Sequence, residues 1–147
     1  MPLNAEAIGK RYEPTTYAIG REKIVEYALA VGESDPLHLD VAAARAAGHA
    51  DVVAPPMFAV VYQHRSVLHA MFDPELAIDF AHLVHGEQAF RWERLAIAGD
   101  ELTTTLTVSD ISERMGMSFF AFATESLNQR GETVCAGLWT NIVRPAA

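Results

Sequence analysis

The chain has 147 residues, of which 50% are hydrophobic and 20% charged, and this is the size and composition of one packed domain. Its 11 Lys and Arg against 19 Asp and Glu give a net charge of −8, which opposes general affinity for nucleic acid or an anionic membrane. No stretch approaches the roughly 18 consecutive apolar residues of a membrane span, and no leader is recognisable, so we expect a cytoplasmic protein. Without an internal repeat or linker, we predict a single domain over residues 1–147.

The first third of the chain predicts one short strand and two short helices. Residues 14–19 have the threonine and aromatic content of a strand. Residues 21–31 place apolar side chains at helical spacing, and Gly32 fits the left-handed residue that often closes a helix. Asp40 can cap a second helix over residues 41–47. We therefore predict a loop between the two helices.

Residues 54–74 predict the longest helix. Pro55 and Pro56 suit its first turn, where the missing N–H groups are not needed, and Pro74 follows its end. Its apolar side chains spread around nearly the whole circumference: Met57, Phe58, Val60, Val61, Tyr62, Val67, Leu68, Met71 and Phe72. A helix that is apolar on most sides is expected to be wrapped on most sides.

Four later segments predict strands with partial alternation, separated by links of hairpin length: residues 80–94, 101–111, 117–127 and 132–143. The single Cys135 lies in the last of them and cannot form an internal disulfide, so we expect a core residue rather than a nucleophile. A long buried helix followed by an antiparallel sheet of about five strands is an α+β arrangement. The hot-dog fold has this architecture, with the sheet wrapped around the helix.

Residues 31–40 (VGESDPLHLD) concentrate titratable groups after the first helix. In a purely structural interpretation, Asp35 before Pro36 is ordinary turn chemistry, and Asp40 caps the next helix. In a functional interpretation, a carboxylate and the imidazole of His38 on one small loop orient a water molecule and exchange protons with it. The residues alone leave both interpretations open.

Several short motifs occur in the order found in MaoC-like proteins: residues 32–40, 42–48, 52–56 and, much later, 98–100. The chain resembles the N-terminal-type MaoC dehydratase domains, relatives of the (R)-specific enoyl-CoA hydratases and of the hydroxyacyl-ACP dehydratases of type II fatty acid synthesis. The resemblance covers essentially the whole chain. It implies a hot-dog fold and syn addition of water to a trans-2-enoyl thioester, or loss of water from a (3R)-3-hydroxyacyl thioester. It also implies that no metal or redox cofactor is needed.

In that family an Asp and a His five positions apart, in a D-x-N-P-x-H pattern, hold one catalytic water. Carried over by position, the His falls on His38, the Asp on Glu33 and the Asn on Asp35. Glutamate keeps the charge but lengthens the arm by one methylene, and Asp35 is a second possible carboxylate partner of the imidazole. The predicted catalytic residues are therefore His38, Glu33 and Asp35.

The start of the central helix is predicted to polarise the thioester carbonyl. Backbone N–H groups there, aided by the helix dipole, can stabilise negative charge on the carbonyl oxygen. The (R)-hydratases usually have His-Gly where this chain has Pro55-Pro56. Since proline has no N–H, the donor is expected to be Met57 or Phe58, and Pro56, Met57 and Phe58 form the predicted carbonyl site.

Other side chains admit a functional and a structural interpretation. Arg91 and Arg94 are candidates for holding the phosphates of coenzyme A or of a carrier's arm, and solvated strand ends explain them equally well. The aromatic residues of the strand over 117–127, with Trp139, can line an acyl tunnel or pack the core. The histidine pairs His64/His69 and His82/His85 point to different faces of their elements, so no metal site is predicted.

Three functions remain open on the sequence. The first is a hydratase or dehydratase of CoA or ACP thioesters. The second is a non-catalytic acyl-chain-binding subunit of a heterodimer, favoured by the departures at Glu33 and Pro56. The third is a hot-dog thioesterase, disfavoured because residues 55–72 contain no Asp or Glu. Because a hot-dog sheet has an edge to cover and the family builds its tunnel across subunits, we expect at least a dimer, with itself or with another hot-dog subunit.

Overall fold

The computed structural model describes residues 3–145, so residues 1–2 and 146–147 of the predicted domain lie outside it. The first part of the chain contains the helical turn Ala5–Ala7, β1 (Thr15–Ala18), α1 (Arg21–Ala30), α2 (Pro36–Leu39) and α3 (Val41–Ala46). The turn Pro56–Phe58 leads directly into the long helix α4 (Ala59–Met71). Four strands follow: β2 (Leu83–Trp92), β3 (Glu101–Arg114), β4 (Met117–Leu127) and β5 (Thr133–Val143).

The five strands form one antiparallel sheet in the order β1-β3-β4-β5-β2, so β1 and β2 are its edges. β3 is longer than predicted, because it continues to Arg114, which pairs with Met117. Met115 and Gly116 alone make the turn, and their φ angles of 52° and 75° fit a two-residue hairpin turn of type I′. The predicted α+β arrangement of a long helix and an antiparallel five-stranded sheet is confirmed.

The segment predicted as a loop after α1 contains the one-turn helix α2. Asp35 precedes its first residue, and the Asp35 Oδ1 accepts a hydrogen bond from the Leu37 amide at 2.9 Å. Pro36 occupies the first helical position, where its fixed φ and missing N–H suit a helix. The loop prediction is therefore wrong, and the half-buried His38 lies on a helical turn.

Helix α4 is buried along one face. Its buried residues are Ala59, Tyr62, Gln63, Ser66, Val67 and Ala70. His64, Arg65 and His69 face solvent, while Met57 and Phe72 at the two ends are 46% and 67% exposed. The other side chains of α4, Val60, Val61, Leu68 and Met71, are half-buried, so the predicted wrapping of the central helix is confirmed, with His64, Arg65 and His69 as the exposed positions.

The core has two apolar parts, one around each end of α4. The first includes Ile24, Phe58, Tyr62, Leu102 and Val134, and the second includes Val67, Leu106, Phe120, Phe122 and Trp139. Between them lie six buried polar residues, here called the polar belt: Thr15, Gln63, Ser66, Thr104, Thr124 and Ser126. Cys135 is fully buried in the first apolar part, which confirms it as a core residue.

Candidate active site

His38 is held in one orientation by the segment that precedes α4. Its Nδ1 lies 2.6 Å from the carbonyl oxygen of Val53, and the Val53 amide donates to the carbonyl of Leu37 at 2.9 Å. Because a carbonyl oxygen can only accept, Nδ1 carries the proton of this hydrogen bond. The other ring nitrogen, Nε2, then presents a lone pair in the neutral imidazole. His38 can therefore act as a proton acceptor through Nε2.

The two carboxylates near His38 are bonded to the backbone of their own turn. Glu33 Oε1 accepts from the amides of Ser34 at 3.0 Å and Asp35 at 3.2 Å, and Asp35 Oδ1 accepts from the Leu37 amide. Within residues 3–145, neither carboxylate forms a hydrogen bond or ion pair with His38. The turn thus gathers the three predicted residues, but it holds Glu33 and Asp35 by one carboxylate oxygen each, without bonding either to the imidazole.

The turn before α4 leaves one backbone donor uncommitted. Pro56 has no N–H, and the Phe58 amide donates to the Pro55 carbonyl at 2.9 Å. The Met57 amide has no acceptor among the described residues. On the other side of the turn, the indole Nε1 of Trp92 donates to the Pro56 carbonyl at 2.9 Å. Of the two donors predicted for a substrate carbonyl, the geometry therefore leaves Met57.

An apolar pocket of about 170 Å³ opens beside this turn. Its lining residues are Ala54, Pro55, Pro56, Tyr62, Trp92, Leu95 and Ala96. Ala54 directly follows Val53, the residue that anchors His38, so the histidine is fixed to the same segment as the pocket wall. Burial raises the pKa of Tyr62 far above its ordinary value, so its hydroxyl stays neutral.

Comparison with known proteins gives this arrangement its context. Residues 6–136 match the family described as "FAS1-like, dehydratase domain region". The chain belongs to this dehydratase family. A UPF0336 protein of Clavibacter michiganensis subsp. michiganensis is 44% identical to this chain over 145 residues, which cover 98% of this chain and 97% of that protein.

Two solved structures of dehydratases resemble this family member closely. The C-terminally truncated HadBC (3R-hydroxyacyl-ACP dehydratase) complex of Mycobacterium tuberculosis matches with a TM-score of 0.82 and 25% identity, over 92% of this chain and 96% of that chain. A MaoC-like dehydratase matches with a TM-score of 0.84 and 29% identity, over 95% of this chain but 43% of the other. These likenesses confirm the predicted hot-dog fold and the predicted resemblance to MaoC-like dehydratases.

An ion pair fastens the segment that carries the Val53 carbonyl in this dehydratase family member. Arg21 donates to both oxygens of Asp51, from Nε at 2.9 Å and from Nη2 at 2.7 Å. The hydrogen bonds from Arg21 lower the pKa of Asp51 to about 2. Farther along, the Ala54 amide donates to the Ala96 carbonyl at 2.8 Å. The segment is thus held at both ends, which fixes the position of the His38 anchor between them.

The two arginines predicted to hold phosphates are paired with carboxylates. Arg91 Nε lies 3.0 Å from Glu93, and Arg94 Nη1 lies 3.2 Å from Glu132. Neither arginine lines the pocket, although Trp92 between them does. A phosphate would have to displace these carboxylates or share the arginines with them. Arg91 and Arg94 therefore form no preformed anion site.

Sequence reasoning did not identify Trp92, Leu95 or the Arg21–Asp51 pair as parts of the site. A tryptophan at the end of a predicted strand was the available signal for Trp92, since large aromatic side chains there often border pockets or interfaces. Within residues 3–145, no group of three or more His, Cys, Asp or Glu residues is placed to hold a metal ion. In the same part of the chain, no helix is long and apolar enough to cross a membrane.

Proposed function

We propose that the chain catalyses the reversible addition of water to a trans-2-enoyl thioester of coenzyme A or an acyl carrier protein, giving the (3R)-3-hydroxyacyl thioester. The observation that carries this proposal is the anchoring of His38 Nδ1 on the Val53 carbonyl. It leaves Nε2 as a proton acceptor on a histidine that is bonded to the residue before Ala54 of the pocket wall. Membership of the dehydratase family supports a hydro-lyase reaction.

In the hydration direction, His38 Nε2 takes a proton from water while the water oxygen bonds to C3 of the enoyl group. The electron pair of the C2–C3 double bond moves toward the thioester carbonyl, whose oxygen gains negative charge. The Met57 amide donates to that oxygen and stabilises the charge. His38 then returns its proton to C2 on the same face. Dehydration is the reverse sequence, so the water and both protons balance.

In this proposal the carboxylates of Glu33 and Asp35 orient the water molecule, and they do not orient the imidazole of His38. Glu33 and Asp35 each use one oxygen on the turn amides, and the second oxygen of each makes no hydrogen bond within the described residues. Such an oxygen can accept a hydrogen bond from water. The net reaction transfers no electrons, so we assign no redox cofactor, and we assign no metal ion.

We further propose that the chain works with a second hot-dog subunit, identical or different. The strand β2 is an edge of the sheet, with β5 as its strand neighbour within the described chain. Edge strands of this length are usually paired or covered. The similar M. tuberculosis dehydratase was solved as a complex.

A non-catalytic acyl-binding subunit is the second candidate. The observation that favours it is that Glu33 and Asp35 are bonded to the turn rather than to His38. In this case the pocket beside Trp92 holds the acyl group, and another subunit supplies the acid and base. The thioesterase is not proposed, since the turn before α4 and α4 itself lack a carboxylate.

The deciding experiment follows the loss of enoyl absorbance when the purified protein meets trans-2-enoyl-CoA substrates of several lengths. We expect His38→Ala to lower kcat by about 100-fold to 10,000-fold, the usual contribution of a general acid or base. His69→Ala is the matched control, because His69 is an exposed histidine on α4 away from the pocket lining. It should leave kcat unchanged.

Two further variants assign the water-orienting carboxylate. Glu33→Gln and Asp35→Asn keep an acceptor for the turn amides and remove only the charge. The variant with the larger loss of kcat identifies the carboxylate that orients the water. A folded protein that binds enoyl-CoA but turns over none of the substrates would overturn the catalytic proposal in favour of the acyl-binding subunit.

A further inference from the structure

The polar belt crosses the sheet as a continuous row beneath α4. By strand register, Thr15 lies opposite Thr104, Thr104 opposite Ser126, and Ser126 opposite Cys135. Thr104 Oγ1 and Ser126 Oγ are 2.7 Å apart. Ser66 of α4 closes the row at the β1 side, where it contacts the Thr15 hydroxyl and donates to the Thr104 carbonyl at 3.2 Å.

Gln63 is the centre of the belt on the β5 side, and its carboxamide is fully hydrogen bonded. Its Oε1 accepts from Thr124 Oγ1 at 2.6 Å and from the Trp139 indole at 3.2 Å. Its Nε2 donates to Ser126 Oγ at 3.1 Å and to the Cys135 carbonyl at 3.4 Å. Two accepted and two donated bonds use the whole capacity of the amide. The side chain is completely buried.

The backbone of β5 is adapted to this carboxamide. A Cβ atom at Gly137 would lie 2.6 Å from Gln63 Oε1 and 2.5 Å from Thr124 Oγ1. Contacts under 3.0 Å do not occur for real Cβ atoms, so no larger residue fits at Gly137 without a shift of the belt. The glycine therefore allows Gln63 to fill the space between helix and sheet.

Along α4, the Gln63 end of the belt lies between the pocket and the second apolar part of the core, and Phe90 of β2 packs against both apolar parts beside it. Tyr62 lines the pocket and belongs to the first apolar part, whereas Trp139 and Val67 belong to the second. Gln63 lies between Tyr62 and these residues. An acyl chain passing from the pocket along the helix would have to part the Gln63 hydrogen bonds, and its methylenes offer no replacement donor or acceptor. That path is therefore closed.

We infer that Gln63 and its side-chain partners Thr124, Ser126 and Trp139 end the acyl site at the pocket, so that the protein selects thioesters of short acyl chains, an inference that rests on the proposed function. The pocket of about 170 Å³ sets the length. A cavity of about 150 Å³ in another protein binds benzene, so this pocket holds roughly six acyl carbons. Gln63 is thus a specificity-determining residue, although it does not line the pocket.

The test measures the Kd of the intact protein for saturated acyl-CoA thioesters of 4, 6, 8, 10 and 12 carbons by calorimetry. Each buried methylene tightens binding by about fourfold. We expect this gain up to about six carbons and no further gain beyond eight. The triple variant Gln63→Ala, Thr124→Val, Trp139→Phe removes the carboxamide and the two side-chain groups that donate to its Oε1, and in it the gain should continue to ten carbons.

Ser66→Ala is the matched control, since it removes a buried hydroxyl of the same belt and helix on the β1 side. It should lower the unfolding midpoint and keep the length limit. The profile of the unmodified protein decides the inference even if the triple variant does not fold. A fourfold gain per methylene that continues to 12 carbons would overturn it.

The outcomes also separate this inference from the proposed function. A limit near six carbons without any turnover of enoyl-CoA supports the inference and overturns the catalytic proposal. Turnover that is equally efficient for 6 and 12 carbons supports catalysis and overturns the length limit. Absence of binding for all five thioesters overturns both.

Discussion

The two ends of α4 differ in how completely their polar groups are used. At the C-terminal end, the Asp73 carboxylate accepts a short hydrogen bond from the Tyr12 hydroxyl, lies 2.6 Å from Lys10 Nζ and accepts from the Glu75 amide at 2.9 Å. Only 8% of its side chain is exposed. These bonds tie the N-terminal segment to the end of the helix.

At the N-terminal end, the Met57 amide has no acceptor among the described residues, and an apolar pocket adjoins the turn. The bonds that do exist there, from Trp92 to Pro56 and from His38 to Val53, fix the frame of the pocket rather than fill it. One end of the helix is thus closed by the chain itself, whereas the other presents an unused donor beside an open pocket. Met57 is 46% exposed, so its amide is free to donate to water or to a ligand that enters the pocket.

The largest effect that would test this comparison is the loss of a phenylalanine at each end. Phe58 is completely buried, and its ring packs on Tyr27 with ring centroids 5.3 Å apart, whereas Phe72 is 67% exposed and stacks on Phe80. We expect Phe58→Ala to lower the free energy of unfolding by about 3–5 kcal/mol, measured by urea denaturation. Phe72→Ala should cost less than about 1 kcal/mol. Equal losses of unfolding free energy in the two variants would show that Phe58 at the N-terminal end of α4 is no better packed than Phe72 at the C-terminal end.

The next effect concerns the closed end alone. Burial by itself would raise the pKa of Asp73, and the hydrogen bonds from Lys10 and Tyr12 outweigh it, so the carboxyl is ionised with its pKa below the ordinary value. We expect Asp73→Ala to leave Tyr12 without its acceptor and to lower the free energy of unfolding by about 2 kcal/mol. Turnover of enoyl-CoA should not change, because Asp73 follows the C-terminal end of α4, whereas His38 is bonded to Val53 before the N-terminal end.

Asp79→Ala is the control for this prediction, since Asp79 is an exposed aspartate paired with His82. It should leave the urea midpoint unchanged. A loss of turnover in Asp73→Ala at temperatures where the protein stays folded would contradict the separation of the two ends.

The sequence predicted the site at the N-terminal end of α4 less well than it predicted the strands of the sheet and α4 itself. Period-two and period-3.6 patterns extend over whole elements, so the positions of the sheet strands and of α4 follow from them. The four-residue helix α2 is too short to show a periodic pattern of apolar residues. Its signal was local instead, an aspartate followed by proline at a helix start, and this was interpreted as a turn.

The anchors of the site were not predictable, because they join residues distant in sequence. His38 bonds to Val53, and Trp92 bonds to Pro56 across 36 positions, with no local pattern for either contact. The polar belt was missed for a related reason. Thr104 and Ser126 lie on the buried faces of their strands, in line with Leu102 and Phe122 respectively, but Ser and Thr are mostly exposed residue types, and only the three-dimensional register brings them under Gln63.

A smaller effect tests whether the pocket at the N-terminal end of α4 binds the substrate. Trp92→Phe keeps an aromatic wall for the pocket but removes the indole donor to the Pro56 carbonyl. Loss of one hydrogen bond of about 1 kcal/mol corresponds to about fivefold in binding, so we expect KM for enoyl-CoA to rise by about that factor, with kcat within twofold. A drop in kcat as large as that of His38→Ala would instead make Trp92 part of the chemistry.

The smallest effect concerns the ion pair that fastens the His38 anchor, and pH reveals it. The pKa of Asp51 is about 2 in the folded protein because Arg21 donates to both of its oxygens, against an ordinary value of 3.8. A lowered folded-state pKa stabilises the protein above the ordinary value, and this contribution disappears as the pH falls from about 4 to about 2. We therefore expect the urea midpoint to fall less steeply across this range in Arg21→Met than in the unmodified protein. Lys23→Met removes the same charge from α1 without touching Asp51, so its pH profile should match the unmodified one, and a profile matching Arg21→Met would trace the effect to net charge instead of the pair.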